Sequence, residues 1–128
     1  MNTLTKLLLI FLGGGLGSAL RWGIDTWVMR IWKHSPWPMG VFIINMTGCL
    51  LMGILAGLLL RDKGEHAWMW PLLATGFLGG FTTFSTYCLN VIQCHLEGHT
   101  TMGIIYALLS LILGITLAMG GYLLMIRH

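Results

Sequence analysis

Apolar residues run with few interruptions through four stretches, about Leu4 to Met29, Met39 to Leu60, Trp68 to Cys94 and Thr101 to Ile126. Each matches or exceeds the roughly 20 residues that a helix needs to cross the hydrocarbon layer. The pattern predicts an all-α membrane protein, with four transmembrane helices forming one domain over residues 1–128. Little chain remains between the spans, so any chemistry is expected inside the bilayer.

The polar positions within these stretches are few and grouped. Gly76 to Tyr87 reads Gly-Phe-Leu-Gly-Gly-Phe-Thr-Thr-Phe-Ser-Thr-Tyr, which sets the hydroxyls of Thr82, Thr83, Ser85 and Thr86 beside a Gly-Gly pair. Glycine weakens a helix, and a polar group in hydrocarbon needs a partner, so this packet makes poor lipid-facing helix. The third span is expected to break at Gly76, Gly79 and Gly80 into two half-helices, with Thr82 to Thr86 at the junction. If the second half is helical, Phe84 and Tyr87 share a face. Plain aromatic packing and a lined path are both open to these rings.

In the first span Gly13, Gly17 and Arg21 recur every four residues and share a face suited to close helix contact. Arg21 lies roughly 25 Å along that helix, at the far interface. It is placed to pair with Asp25 one turn later or to give a positive vestibule for anions. In the second span Asn45 is the odd residue: an unpaired amide costs several kcal/mol in such a medium, so it either glues helices or binds a ligand. The fourth span repeats Gly103, Ala107, Ser110, Gly114, Ala118 and Gly121 as a stripe of small side chains for tight helix contact. Tyr106 and Ser110 place two hydroxyls on nearly the same face.

Composition sharpens this picture. The chain is 56% hydrophobic and 9% charged, with a mean hydropathy of +0.82. The apolar start resembles a secretory signal peptide, but apolar character continues past Ala19 and three more spans follow, which excludes that reading. Trp22, Trp27, Trp32, Trp37, Trp68 and Trp70 flank the first two loops, where indole rings anchor at the membrane interface. Cys49, Cys88 and Cys94 lack metal-site or disulfide spacing. His34, His66, His95, His99 and His128 fall in expected loops or at the chain end, as solvated surface rather than metal ligands.

The net charge of +3 comes from scattered basic residues, which gives no nucleic-acid footprint. With a cytoplasmic N-terminus, Lys6, Arg61, Lys63 and Arg127 lie inside against Arg30 and Lys33 outside. So weak a positive-inside bias fits insertion both ways and an antiparallel homodimer.

Asp25, Asp62, Glu65 and Glu97 are the only carboxylates, all expected at helix ends or in loops. A proton-coupled exporter needs an intramembrane carboxylate or histidine, so the pattern points to passive conduction. No nucleophile with a base, metal cluster or phosphate loop marks an enzyme. Hydroxyls, an amide NH2 and the positive edges of rings all favour an anion over a cation. Burying a carboxylate-sized ion costs on the order of 20 kcal/mol before compensation, so many weak donors must act together.

Three segments carry a resemblance: Gly13-Gly14-Gly15-Leu16-Gly17-Ser18-Ala19-Leu20-Arg21-Trp22, Gly40-Val41-Phe42-Ile43-Ile44-Asn45 and Gly76 through Thr86. Together they resemble the Fluc (CrcB) fluoride channel family, nearly end to end. The resemblance implies a dual-topology, antiparallel homodimer in the bacterial inner membrane whose two pores export fluoride and protect the cell. It implies Asn45 as the pore asparagine, Phe84 as the first ring whose edge meets the ion, and Ser85, Thr86, Tyr106 and Ser110 as the polar track. It also implies a structural Na+ at the dimer axis held by the carbonyls of Gly79 and Thr82, with Arg21 near the vestibule. The second pore phenylalanine of the family falls at Tyr87, so a working pore of altered rate is expected, or else a heterodimer whose partner supplies the ring. Two other readings compete: a small multidrug exporter, which lacks its first-helix glutamate here, and a scaffold subunit, which leaves the hydroxyl and ring packet unexplained.

Overall fold

Asn2 starts the first helix by accepting a hydrogen bond from the Thr5 N–H at 2.8 Å, an N-cap that satisfies one of the free donors of the first turn. In the computed structural model, which describes residues 1–127, the chain is helical apart from short loops and one internal interruption. Helix α1 runs Thr3–Ile31 and α2 Met39–Arg61. The third span is composite: a π-helical arm, Trp70–Leu78, runs into a single turn, α3 (Gly79–Phe81), and α4 follows over Phe84–Leu96. Helix α5 closes the fold over Thr100–Ile126. Four of these helical runs are long and apolar enough to cross a membrane: Thr3–Ile31, Met39–Arg61, Trp70–Leu96 and Thr100–Ile126.

The glycines do not open the third span, contrary to expectation. Gly76, Gly79 and Gly80 are all helical, and the backbone leaves helical geometry at Thr82 (φ −79°, ψ 157°) and Thr83 (φ −148°, ψ 119°). In hydrocarbon a glycine has no water to bond instead, so its low helix propensity counts for less than it does in solution. What the missing side chains supply is proximity. A Cβ on Gly13 would strike Leu72 O and come within 2.8 Å of Phe77 N; one on Gly17 would strike Phe77 O and come within 2.9 Å of Phe81 N. From the other side, a Cβ on Gly76 would lie 3.0 Å from Ile10 O. The glycine face of α1 thus lies backbone to backbone on the arm.

The small-residue stripe of α5 divides between two neighbours. A Cβ on Gly121 would meet Leu50 O at 2.7 Å, and one on Gly53 would strike Ala118 O, so α2 and α5 form the most extensive helix pair. Nearer the start of α5, Gly103 faces Cys94 and Val91 of α4. Leu55, Ala74 and Leu78 form a buried cluster that ties α2 to the arm. Outward-facing Leu and Ile along every span remain exposed, as a lipid-facing surface requires.

Two expectations about single side chains change. Arg21 and Asp25 form no salt bridge among the described residues, because the Arg21 guanidinium is drawn to the Gly80 carbonyl. Asp25 itself lies in the last two turns of α1, against Gly40 of α2. Trp37 is not an outer anchor but packs inward between Phe42 and Tyr106. His128 lies outside the described residues.

In the loop after α2, the Asp62 carboxylate accepts from both the backbone N–H and the ring of His66. This pairing raises the His66 pKa above its usual 6.5 and lowers that of Asp62 below 3.8. The histidine contribution is therefore complete below about pH 6.5 and fades as pH rises through the raised value. That of the carboxylate is complete above its ordinary value and fades as pH falls through the lowered one. An NMR titration should place the His66 ring above 6.5, and Asp62→Asn should return it towards that value; an unmoved midpoint in the variant would contradict the pairing. For packing, Gly17→Ala should destabilise the protein in a detergent melt by about 1–3 kcal/mol through overpacking. The control Gly15→Ala, where a Cβ meets nothing within 4 Å, should be neutral or stabilise by up to about 1 kcal/mol.

Candidate functional site

The interruption after α3 removes helical partners from several backbone groups, and their replacements define the site. The Thr83 N–H donates to Asn45 Oδ1 at 2.9 Å, and Asn45 Nδ2 donates to Thr83 O at 3.0 Å. One carboxamide therefore satisfies both backbone groups of one residue, as a neighbouring strand would. Gly80 O, freed in the same way, accepts from Arg21 Nε at 3.0 Å and from Ser18 Oγ at 3.3 Å. Thr83 then caps α4, its Oγ1 accepting from the Thr86 N–H at 3.3 Å and donating to Thr86 Oγ1 at 3.1 Å. Thr82 Oγ1 bonds back to Leu78 O at 2.9 Å.

Beside this junction an open groove of about 370 Å³ lies between α2, α4 and α5. Asn45, Thr82, Thr83, Phe84, Tyr87 and Ser110 give it a polar and aromatic side; Met52 and Ile115 are among the apolar residues opposite. Among the described residues, no carboxylate, histidine, lysine or arginine lines it. Ser110 Oγ is fully buried with no hydrogen-bond partner among the described residues, in a residue only 8% exposed. Such orphans are rare in native proteins and mark a missing ligand or water. Asn45 Nδ2 has a second hydrogen beyond the one given to Thr83.

The aromatic rings form a ladder. Phe84 and Tyr87 centroids lie 5.6 Å apart, and Tyr87 lies 5.4 Å from Tyr106. The Tyr87 hydroxyl donates to Ala107 O at 2.8 Å, which takes the phenolic donor out of the groove and leaves the ring to face it. Phe84 is 77% exposed, on the open side of the groove.

Of the residues singled out in the sequence, Asn45, Phe84, Tyr87 and Ser110 share the groove. Ser85 and Thr86 sit in the first turn of α4 beside the Thr83 cap. Tyr106 lies wholly buried behind Tyr87, its hydroxyl accepting from Asn90 Nδ2 at 3.4 Å. Arg21 stands on the α1 side, held by Gly80 O. The carbonyls of Gly79 and Thr82 take no hydrogen-bond donor among the described residues, so two oxygens of the kind that hard cations favour are left open at the junction. Sequence reading named Thr83 among the hydroxyls of the packet but gave it no role in the site, although a threonine followed by Phe-Ser-Thr after a Gly-Gly pair is a readable helix start.

A family model described as CrcB-like protein, Camphor Resistance (CrcB), matches residues 8–122. A protein of Azobacteroides pseudotrichonymphae genomovar. CFP2 named fluoride-specific ion channel FluC is 36% identical over 121 residues, covering 94% of this chain and 96% of its own. Proteins of the same name from Paracoccus denitrificans (strain Pd 1222) and Hyphomonas neptunium (strain ATCC 15444) are 39% and 42% identical over 112 residues each. They cover 88% and 85% of this chain, and 87% and 86% of their own length.

Because Asn45 satisfies two backbone groups at once, Asn45→Ala should cost about 2–6 kcal/mol, from one to three for each group left bare. Asn45→Asp keeps the acceptor for Thr83 N–H but sets a carboxylate against Thr83 O, and should lose a comparable amount. Detergent melts with hydrogen exchange at the Thr83 amide would check both, and an amide equally protected in Asn45→Ala would disprove the pairing.

Proposed function

The chain belongs to the CrcB-like family, and on that footing we propose that it is a passive, fluoride-selective channel of the bacterial inner membrane that lowers cytoplasmic fluoride. It is a multi-pass membrane protein, and its relatives are named as channels rather than enzymes. The observation that carries the proposal is the buried, unpartnered Ser110 hydroxyl facing the same groove as the Asn45 amide.

Neutral donors suit a small anion that must both enter and leave. A fixed cation in the groove would hold fluoride too long, whereas several weak donors replace its water and still release it. Ser110 Oγ–H, the second Asn45 N–H and the ring edges of Phe84 and Tyr87 supply these contacts. Ser85, Thr86 and Tyr106 extend the polar track beside them. Because its hydroxyl is held by Ala107 O, Tyr87 serves as a phenylalanine would. Arg21 concentrates anions near the vestibule while bracing Gly80.

Two copies packed antiparallel complete the pore. The exposure of Phe84 and Gly79 and the weak charge bias between the loops support this assembly. In such an assembly the carbonyls of Gly79 and Thr82, which take no donor among the described residues, are the groups that would hold a structural Na+. A bound sodium would supply positive charge that fixes the interface; the neighbouring carbonyls of Gly80 and Thr83 are already paired within the chain. The whole sequence forms a single transmembrane domain.

In liposomes followed with a fluoride electrode, the wild-type protein should release fluoride without a proton gradient and retain chloride. Phe84→Ile should abolish the flux. Ser110→Ala, which removes one donor from a charged partner, should lower it about tenfold. Chloride release at a rate matching fluoride, or a Ser110→Ala variant as fast as wild type, would contradict the proposal.

A further inference from the structure

Two side-chain donors are buried without a partner among the described residues: Ser110 Oγ and Trp37 Nε1. The first belongs to the groove. The second lies at the other end of the ring ladder, since Tyr106 packs edge-on against Trp37 with centroids 5.6 Å apart and planes at 87°. Trp37 in turn meets Phe42 at 5.6 Å and 78°. Phe84, Tyr87, Tyr106 and Trp37 are thus consecutive neighbours, leading from the interrupted third span to the loop between α1 and α2.

The indole is fixed in place. Its backbone N–H donates to Ser35 Oγ at 3.2 Å, and its carbonyl accepts from the Met39 N–H at 2.8 Å. With both backbone groups tied and two ring contacts near right angles, the Nε1–H direction is set before any ligand arrives. A buried donor held in this way loses its hydration without compensation unless something accepts from it.

Building on the channel reading above, we infer that Trp37 Nε1–H is a further fluoride-binding donor, an end station of the permeation route beyond Tyr106. The ladder offers an anion positive ring edges between the two stations, and Tyr106, whose ring meets Trp37, lies one turn before Ser110 on α5. A carboxylate at this end, that of Asp25, lies against Gly40, three residues past Trp37. Its negative charge opposes long residence of an anion there, which suits a point of release rather than a trap. Trp37 gives the ion one strong neutral donor at the place where water begins to take over.

The test compares three forms of the full-length protein in liposomes: wild type, Trp37→Phe, and a form whose indole is replaced by a benzothiophene ring of the same shape that lacks the N–H. Loss of the donor should lower fluoride efflux about tenfold and raise the half-saturating fluoride concentration in both altered forms. The benzothiophene form should melt with the wild type, because its ring packing is kept. Trp37→His, which retains a ring N–H, should recover part of the flux lost in Trp37→Phe. Wild-type rate and half-saturation in the benzothiophene form would overturn the inference and leave the N–H to a water molecule. A wild-type protein that conducts no fluoride would remove the channel reading, and this station with it.

Discussion

A helix opened inside hydrocarbon must find a partner for every backbone group it frees, because no water is there to take them. The structure depends on how that requirement is met around Thr83. Asn45 takes both groups of Thr83, Arg21 and Ser18 take the Gly80 carbonyl, and the Thr83 hydroxyl takes the Thr86 amide. Three elements distant in sequence are locked together by one junction. That junction sets where α4 begins, which places Phe84 and Tyr87 over the groove.

The same economy explains why the few polar groups in this largely apolar groove carry no charge. Arginine, the one strong cation near the junction, is occupied by a carbonyl on the α1 side. What remains for the groove is an amide hydrogen, a serine hydroxyl and ring edges. Each is weak alone, and their convergence depends on the tight α2 and α5 contact made possible by Gly53 and Gly121. Packing deep in the fold and the chemistry of the groove thus rest on the same pair of helices.

Much of this was legible in the sequence. Span length and apolar character are one-dimensional properties, and the helix ends fall within about two residues of the expected limits. Asn45 stood out because an amide in an apolar run needs a reason. Its partner did not stand out, since the pairing joins residues 38 positions apart and depends on where the helix opens. The glycines of the third span misled because their effect in water was carried into hydrocarbon. There they serve α1 by letting it approach, and the opening falls at the two threonines that follow. The Arg21 to Asp25 spacing is sound helix geometry, but a freed carbonyl on another element offered the guanidinium a closer partner. Trp37 was grouped with the interfacial rings because composition shows a ring's position along the chain and not the direction in which it points.

The arm Trp70–Leu78 is wound wider than an α-helix, with the Gly79 N–H reaching back to Ala74 O, five residues earlier. Such a segment holds surplus chain relative to an ordinary helix of the same rise, and surplus chain acts as a phase shifter. Each residue of an α-helix turns its successor by about 100°. Dropping one residue from the arm would let it relax to regular winding while swinging everything beyond it around the axis. The hydroxyls and rings after Phe81 would then point at lipid. The angular setting of the groove is therefore stored some ten residues upstream of it, in a stretch whose one hydroxyl is that of Thr75.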